Sequence, residues 1–389
     1  MHVIKSIKQP YHPNTDLESM MDMFKEIVNH CIRLGLDNNI STLKKFSSMF
    51  YHELDIYQIQ SKYKLTAMSQ ACGRLSQMKD SIKKGKTVRS PFVRKPFLVS
   101  CYGFKINGML LSIPTGNRNY VNVILNDYTT KKLSEDGIKP RSFTITPDLL
   151  SICIRKEIQE ITPQNVIGID RNLRNVTIST PTDSIMYKTG KLLSIKENSQ
   201  FVRASFRRND RRVKNKFFTQ QRNRQSSRIQ QFLHKISKDI VSRAKQSIAA
   251  IIFEDLKGIR KLYRKGNGQG NRFRRKLNSW SFYELQRQIQ YKAAWDGIPV
   301  MFVDPKRTSK LCPICGEQIQ EDRLQLRKLL CNNCGISMDR DVVASMNIAH
   351  KGWSRFCHPR GLSGEAMKGN PGNFQPVILR VDGSKLAST

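Results

Sequence analysis

Two closely spaced pairs of cysteines constrain this chain more than any other feature of its sequence. Cys312 and Cys315 form one C-x-x-C pair, and Cys331 and Cys334 form a second pair after fifteen intervening residues. Four thiolates at this spacing can close a tetrahedral Zn²⁺ site that leaves no position open, so the metal is expected to be structural. A redox-active dithiol is the alternative interpretation of such pairs. The spacing therefore predicts a four-cysteine zinc ribbon.

The charge of the chain is the second constraint. Among 389 residues, 67 are Lys or Arg and 31 are Asp or Glu, which leaves a formal net charge of +36. Such a charge repels itself unless a polyanion neutralises it, and contacts with phosphates release counterions. We therefore expect a nucleic-acid partner rather than an anionic membrane or a merely supercharged surface. No apolar run is long enough to span a membrane and no signal peptide is evident, so we expect a cytoplasmic protein.

The first half of the chain changes its pattern twice. A short alternating segment opens the sequence, helical periodicity follows, and a period of two then returns up to about residue 160. The dipeptide Asn107-Gly108 lies between two alternating segments and predicts a tight hairpin. Thr15 and Glu18 predict a capping box at the first helix. We predict a small β-barrel built from residues 1–10 and 86–160, with residues 11–85 as a helical insert.

The second half alternates short apolar strands with helices. Residues 166–169 form an apolar strand that ends in Asp170, and two further strands can follow it in antiparallel fashion. An amphipathic helix then precedes a buried strand over residues 249–253, which ends in Glu254. We expect residues 257–276, rich in Arg, Lys and Gly, to form a mobile loop. Ser281 and Glu284 predict a second capping box, and residues 299–303 predict one more strand.

Three carboxylates carry the catalytic hypothesis. Asp170 and Glu254 each end an apolar strand, and Asp341 opens a helical segment. Phosphodiester hydrolysis commonly uses two divalent cations, and Mg²⁺ prefers carboxylate oxygens. Taken singly, an aspartate after a strand is more often a turn or cap residue than a metal ligand. Spacing alone does not establish the triad.

The residues around these acids resemble a known family. Val166-Ile-Gly-Ile-Asp170-Arg-Asn-Leu resembles the first RuvC motif of TnpB proteins, and Phe253-Glu254-Asp255-Leu256 resembles the second. The segment from Val303 to Cys312, the two cysteine pairs, and Asp339-Arg340-Asp341 up to Asn347-Ile348 resemble the zinc ribbon and the third motif. The likeness covers residues 163–349. It departs at Val343-Ala344-Ser345, where the family often has Asn-Ala-Ala, and one polar side chain is lost there.

The resemblance implies a multi-domain α+β and α/β fold. The N-terminal β-barrel with its helical insert would precede an RNase H-like (RuvC) nuclease domain, over residues 161–307 and 336–352. The inserted zinc ribbon would take residues 308–335, and residues 353–389 would form a flexible tail. Asp170, Glu254 and Asp341 would be the catalytic triad and would hold two Mg²⁺ or Mn²⁺ ions. Asp339 and Asp255 are alternative ligands, and Asp339 is alternatively a helix cap.

The resemblance also implies an activity and partners. The protein would bind a guide RNA made from its own transposon, as one chain per RNA, and cut target double-stranded DNA beside a short adjacent motif. It would be prokaryotic and associated with the nucleoid when bound to DNA. Three alternatives stay open: an RNA-guided repressor that has lost cleavage, a DNA transposase that acts without a guide, and a zinc-ribbon binding module without catalysis.

A basic segment supplies the predicted contacts with nucleic acid. Between Arg203 and Arg228 lie ten Lys or Arg residues and one acid, Asp210. They cover much of a helix, which favours a surface that follows phosphates rather than one that reads bases. A solvated helix face is the alternative. The predicted contacts, including three in the following basic loop, are Arg203, Arg207, Arg208, Arg211, Arg212, Lys214, Lys216, Arg272, Arg274 and Arg275.

Overall fold

The chain folds into two units, Met1–Glu157 and Ile158–Thr389. The computed structural model describes residues 1–116, 119–180, 183–205, 211–259, 268–322, 325–357, 377–382 and 386. Within these residues, no helix is both long and apolar enough to cross a membrane.

In the first unit, a set of helices lies between the first two strands of the sequence. These elements are β1 (His2–Pro10), α1 (Thr15–Asp37), α2 (Leu43–Phe50), the 3₁₀ turn His52–Ile56, α3 (Ser61–Lys83) and β2 (Leu98–Ser100). Apolar residues of α1 and α3, such as Phe24 and Met68, are fully buried. The predicted capping box is wrong by one residue, because the side chain of Asn14 accepts from the backbone N–H of Leu17 at 3.0 Å.

The rest of the first unit is mainly antiparallel sheet. It contains β3 (Lys105–Asn107), β4 (Leu110–Gly116), β5 (Asn119–Ile124), α4 (Asp127–Leu133), β6 (Ile138–Thr146) and β7 (Leu149–Glu157). One sheet has the order β1-β7-β6-β2 and the other the order β3-β4-β5. The hairpin at Asn107-Gly108 is confirmed, since β3 and β4 flank that dipeptide and pair in antiparallel fashion. Closure of these strands into a barrel stays a prediction.

The second unit contains one large sheet, a small sheet and five helices in its described part. Its elements up to the last large-sheet strand before the cysteines are β8 (Asn165–Arg171), β9 (Asn175–Ser179), β10 (Asp183–Lys188), α5 (Gly190–Ala204), α6 (Arg211–Gln246), β11 (Ala249–Glu254), α7 (Asn271–Asn278), α8 (Phe282–Trp295) and β12 (Val300–Val303). The cysteine segment and the C-terminal part contain β13 (Gln320–Glu321), β14 (Lys328–Leu330), β15 (Ser337–Asp339), α9 (Arg340–Cys357) and β16 (Val377–Asp382).

The large sheet has the order β12-β11-β8-β9-β10-β16. Strands β8, β9 and β10 are antiparallel to their neighbours in sequence, as predicted, whereas β11 is parallel to both β8 and β12. The carboxyl ends of β8 and β11 therefore meet at the same edge of the sheet. Residues that end these two strands are brought together although they are far apart in sequence.

Both faces of this sheet are covered, which explains the continuous apolar runs of β8 and β11. Ile169 and Phe253 belong to a buried cluster with residues of α6 and α8, while Ile252 packs in a separate cluster with α9. Helix α9 crosses the sheet so closely that a Cβ atom on Gly168 would lie 2.1 Å from the carbonyl oxygen of Ser345. Glycine at position 168 is thus required for α9 to pack against β8.

Two predictions about irregular segments differ from the structure. Helix α7 occupies the end of the predicted mobile loop 257–276, and residues 260–267 of that loop lie outside the described residues. Residues 353–357 continue α9, and β16 pairs in parallel with β10, so these parts of the predicted flexible tail are ordered. The apolar run Val377-Ile-Leu of β16 is a strand signal that the sequence reading passed over.

Candidate active site

The three predicted acids lie at the edge of the sheet where β8 and β11 end. Asp170 and Glu254 are on these adjacent strands, and Asp341 is in the first turn of α9, which packs across β8. Asp170 and Asp341 are buried and Glu254 is half-buried. The negative charges of Glu254 and Asp341 both act on Asp170. The fold thus groups the three acids, while their catalytic role stays a prediction.

The carboxyl group of Asp170 has a strongly raised pKa. Burial, and then the charges of Glu254 and Asp341, raise the pKa of its carboxyl group to about 8. The side-chain amide of Asn172 donates to Asp170 Oδ2 at 2.6 Å, which partly offsets this rise. A buried acid beside two other acids is costly for a stable fold, and such an arrangement is typical of a functional site.

Glu254 is held by a residue that lies just before the first cysteine pair. The hydroxyl of Thr308 donates to Glu254 Oε1 at 2.6 Å. Burial raises the pKa of Glu254, while this hydrogen bond and the guanidinium of Arg171 lower it. The neighbouring Asp255 accepts instead from the backbone N–H of Lys257 and forms an ion pair with its side chain. The structure thus gives Asp255 a local turn contact.

Asp341 is contacted by two side chains from different elements. The amide of Asn175 donates to Asp341 Oδ2 at 2.6 Å, and the guanidinium of Arg327 forms an ion pair with the same oxygen. Asp341 lies at the start of α9, where the helix dipole favours a negative charge. Asp339 accepts from the backbone N–H of Asp341 at 2.9 Å, which is a helix-capping contact.

A buried arginine lies directly behind the strand ends. The guanidinium of Arg171 donates to the carbonyl oxygen of Glu254 at 2.7 Å and to Gln286 Oε1 at 2.7 Å. It also stacks on the rings of Phe253 and Phe282. Burial lowers the pKa of Arg171 to about 10, so the side chain is still charged at neutral pH. This cation connects β8, β11 and α8 and offsets part of the acidic charge.

The four cysteines form a second candidate metal centre. Their sulfur atoms all lie within 4.8 Å of one another, so the grouping predicted from the spacing is confirmed. Cys312 Sγ lies 3.5 Å from Cys334 Sγ, and Cys315 Sγ lies 3.4 Å from Cys331 Sγ. A tetrahedral zinc ion with bonds of about 2.3 Å separates its sulfur ligands by about 3.8 Å, so the arrangement fits this metal. In the described part of the chain, the carboxylate oxygens of the three acids do not all lie as close to one another as these sulfur atoms do.

The site of the departure from Asn-Ala-Ala has a structural role. Val343 is buried in an apolar cluster with Leu329 and Met338 of the small sheet, so α9 holds the cysteine segment through this contact. Ser345 forms a 2.6 Å hydrogen bond with Ser179, and Ser179 forms one of 2.7 Å with Ser184. The valine thus replaces a polar group with an apolar contact to the ribbon.

Sequence reasoning missed the side chains that hold the acids. Asn172 lies in the turn after β8 and Asn175 is the first residue of β9, and their closeness to Asp170 in sequence could have indicated both. Thr308 lies within the segment that carries the resemblance. For Arg327 the sequence contains no signal, because its place beside Asp341 depends on how the small sheet packs on α9.

The predicted nucleic-acid contacts divide into three groups. Arg203 is on α5 and donates to Gln225 Oε1 at 3.1 Å. Arg272, Arg274 and Arg275 are on α7, where Arg272 and Arg275 are exposed. Arg207 and Arg208 lie outside the described residues, and so do the side chains of the remaining four, which are Arg211, Arg212, Lys214 and Lys216 on α6.

Comparisons with known proteins find similar families, relatives and structures. A family model described as the Cas12f1-like TNB domain matches residues 282–348. TnpB-like protein MJ0751 of Methanocaldococcus jannaschii is 35% identical over 262 residues, which cover 64% of this chain and 92% of that protein. The putative RNA-guided DNA endonuclease InsQ of Escherichia coli is 26% identical over 239 residues, or 57% of this chain and 58% of that protein.

Proteins named Cas12f1 appear in both the sequence and the structure comparisons. The CRISPR-associated endodeoxyribonuclease Cas12f1 of Sulfoacidibacillus thermotolerans is 37% identical over 117 residues, which cover 30% of this chain and 25% of that protein. A cryo-EM structure of a Cas12f1 complex with sgRNA and target DNA superposes with a TM-score of 0.53. The superposition covers 86% of this chain and 83% of that one at 13% identity. At this identity the likeness concerns the fold, which is a mixed α+β multi-domain fold.

Proposed function

The chain belongs to the TnpB family, and from this premise we propose that it is a transposon-encoded, RNA-guided DNA endonuclease. The observation that carries the proposal is the acidic group at the sheet edge. Asp170 is buried beside Glu254 and Asp341, and their charges raise the pKa of its carboxyl group to about 8. Repulsion among these carboxylates destabilises the folded chain unless a bound cation offsets it. The family resemblance implies that the cation would be Mg²⁺ or Mn²⁺.

We propose that the large sheet is an RNase H-like (RuvC) core. Its strand order and directions support this, because an antiparallel β8-β9-β10 meander is extended by the parallel strands β11 and β12. The location of the acids also supports it, because Asp170 and Glu254 lie at the carboxyl ends of β8 and β11 and Asp341 lies in the first turn of α9.

Asp170, Glu254 and Asp341 would hold two divalent cations, Mg²⁺ or Mn²⁺. The donor set fits these ions, because all three are carboxylates and the half-buried site limits water access. When bound, the cations would supply an activated water and stabilise the leaving oxygen of the phosphodiester. Asn172, Thr308 and Asn175 each donate a hydrogen bond to one of these carboxylates. Zn²⁺ in the four-cysteine cluster would be structural, since all its ligands would be protein thiolates.

The partners proposed are a guide RNA derived from the protein's own element and target double-stranded DNA. The net charge of +36 and the length of the basic helix α6 support a nucleic-acid surface. The protein would act as one chain per RNA in the prokaryotic cytoplasm. The three acids favour cutting over the repressor alternative, because a binder needs no cluster of repelling carboxylates.

The test is guided cleavage by the full chain. The protein is purified with its co-expressed RNA, the RNA is sequenced, and a DNA library with the guide match beside random flanks is offered with Mg²⁺. We expect cutting that requires RNA and Mg²⁺ and selects one flanking sequence. Asp170→Ala should reduce cutting to the background of the assay while guided binding is retained.

A matched pair of variants tests the assignment of the second acid. Glu254→Gln should abolish cutting, whereas Asp255→Asn should retain it, because the Asp255 carboxylate is bound to Lys257. Guided binding without any cutting by the unaltered protein would favour the repressor. The absence of bound RNA would favour a transposase without a guide.

A further inference from the structure

The loop that leads to the first cysteine pair is attached to Glu254. Thr308 lies four residues before Cys312, and its side chain is buried. Its hydroxyl lies 2.6 Å from Glu254 Oε1 and 3.0 Å from the carbonyl oxygen of Pro305. A hydroxyl has one proton to donate, and the shorter bond to a carboxylate is the stronger one. Thr308 therefore fixes the orientation of the glutamate side chain.

Helix α9 holds this loop from the opposite side. The side-chain amide of Asn347 donates to the carbonyl oxygens of Thr308 and Leu311, both at 2.8 Å. An amide has two N–H groups, so it can make both bonds at once. One helical turn later, Lys351 Nζ donates to the carbonyl oxygens of Asp304 and Lys306. The loop 304–311 is thus bound to α9 through four backbone carbonyls.

These contacts link α9 to Glu254 through the loop that precedes Cys312. Asn347 is 9% exposed and Thr308 is 5% exposed, so water competes little for their hydrogen bonds. The path runs from Asn347 on α9 to Thr308, and from Thr308 to Glu254 on β11. Glutamate has more rotatable side-chain bonds than the two aspartates of the site, so its carboxylate depends most on an external partner.

We propose that Thr308 is a positioning residue for Glu254 and that Asn347 acts through Thr308. The loop 304–311 then sets the divalent-metal affinity of the carboxylate site, in addition to leading into the ribbon. This inference rests on the proposed function in one respect, namely that Glu254 is a ligand of the divalent cation. Residues that orient metal ligands typically change metal affinity by about 10- to 100-fold when they are removed.

The test compares two substitutions of Thr308 in the RNA-bound full chain. Thr308→Val keeps the shape of the side chain and removes the hydroxyl, whereas Thr308→Ser keeps the hydroxyl. Mn²⁺ binding is measured directly by electron paramagnetic resonance, apart from any cleavage. We expect affinity to fall by about 10-fold or more for Thr308→Val and to stay within about 3-fold of the unaltered protein for Thr308→Ser. Unchanged Mn²⁺ affinity in Thr308→Val overturns the proposal.

A double-mutant cycle tests the role of Asn347. If Asn347 acts through Thr308, Asn347→Ala should weaken Mn²⁺ binding alone but add little to Thr308→Val. Fully additive losses would refute that link. Zinc content and melting temperature report whether each variant is folded, and Thr308→Val with Thr308→Ser decides the main claim even if Asn347→Ala does not fold.

Glu254→Gln separates failure of this inference from failure of the proposed function. If Glu254→Gln leaves Mn²⁺ affinity unchanged, the metal assignment itself is wrong. If Glu254→Gln weakens binding and Thr308→Val does not, the proposed function stands and only the positioning role fails.

Discussion

The four cysteines and the three acids are both groups of metal-ligating side chains, but the chain builds them in opposite ways. All four cysteines come from residues 312–334, and their sulfur atoms contact one another. The acids come from β8, β11 and α9, and each carboxylate is held by other side chains. We call these two groups the sulfur cluster and the carboxylate cluster. The first is assembled by local chain geometry, and the second by tertiary packing.

Although they are built differently, the two clusters are connected through the residues that precede each cysteine pair. Thr308 lies four residues before Cys312 and contacts Glu254, and Arg327 lies four residues before Cys331 and contacts Asp341. Each cysteine pair is therefore preceded by a residue that touches one acid. Zinc in the sulfur cluster would order both contacts, so damage to the local cluster should propagate to the tertiary one.

Removal of one cysteine should have the largest effect on the carboxylate cluster and on cutting. In Cys331→Ser we expect loss of bound zinc, because one of its four thiolate ligands is removed. The effect should be large, since a structural zinc site contributes on the order of 10 kcal/mol to the folding of its segment. Thr308 and Arg327 would then lose their fixed positions, and cutting should fall by about 100-fold or more. Zinc is measured by mass spectrometry and cutting by the guided assay.

Cys101→Ser is the matched control, because Cys101 is exposed and lies in the first unit. It should keep both zinc and activity. If Cys331→Ser lost its zinc and still cut at the original rate, the two clusters would be independent and the comparison would be broken.

The titration of Asp170 should have a smaller effect, on stability. Its folded pKa of about 8 lies above the ordinary value of 3.8, so the folded metal-free protein retains a proton that the unfolded chain releases. This contribution to stability is complete below about pH 3.8 and is lost as the pH rises through about 8. Between pH 5 and 8 we expect the melting temperature of the metal-free protein to fall relative to that of Asp170→Asn, by roughly 2–8 °C.

Circular dichroism at a series of pH values measures this difference, and Asp255→Asn serves as the control because Asp255 lies at an exposed turn. If the melting temperatures of Asp170→Asn and the unaltered protein changed by the same amount between pH 5 and 8, the pKa of Asp170 would not be raised by its neighbours.

The sequence predicted local features better than those that depend on packing. The hairpin at Asn107-Gly108 and the cysteine grouping are confirmed, because each is fixed by residues close together in the chain. The predicted capping box at Ser281 is wrong, since no cap bond forms there. The hydroxyl of Ser281 instead accepts from Lys196 Nζ at 2.7 Å, and this partner on α5 is distant in sequence.

The same distinction applies to the candidate site. Asp170 and Glu254 could be selected as strand ends, and the parallel pairing of β8 with β11 then brings these ends together. Their catalytic role was drawn from the resemblance and stays a prediction. Arg327 could not be selected, because it lies in the turn before β14 and its contact with Asp341 arises only when the small sheet packs on α9.

Arg327 supplies the prediction with the smallest effect. The side chain of Arg327 is 58% exposed although it pairs with the buried Asp341. The ion pair should therefore contribute no more than about 1 kcal/mol to the free energy of unfolding. In Arg327→Met the acids lose a neighbouring positive charge, so the metal-free protein should melt about 2–4 °C lower. Added Mg²⁺ should then raise the melting temperature by more than in the unaltered protein, because the cation relieves a larger repulsion.

Arg340→Met is the matched control, since Arg340 pairs with Glu321 at 3.3 Å rather than with a carboxylate of the site. Equal Mg²⁺-dependent increases in both variants would mean that Arg327 does not balance the charge of the carboxylate cluster, and that the ribbon reaches this cluster through Thr308 alone.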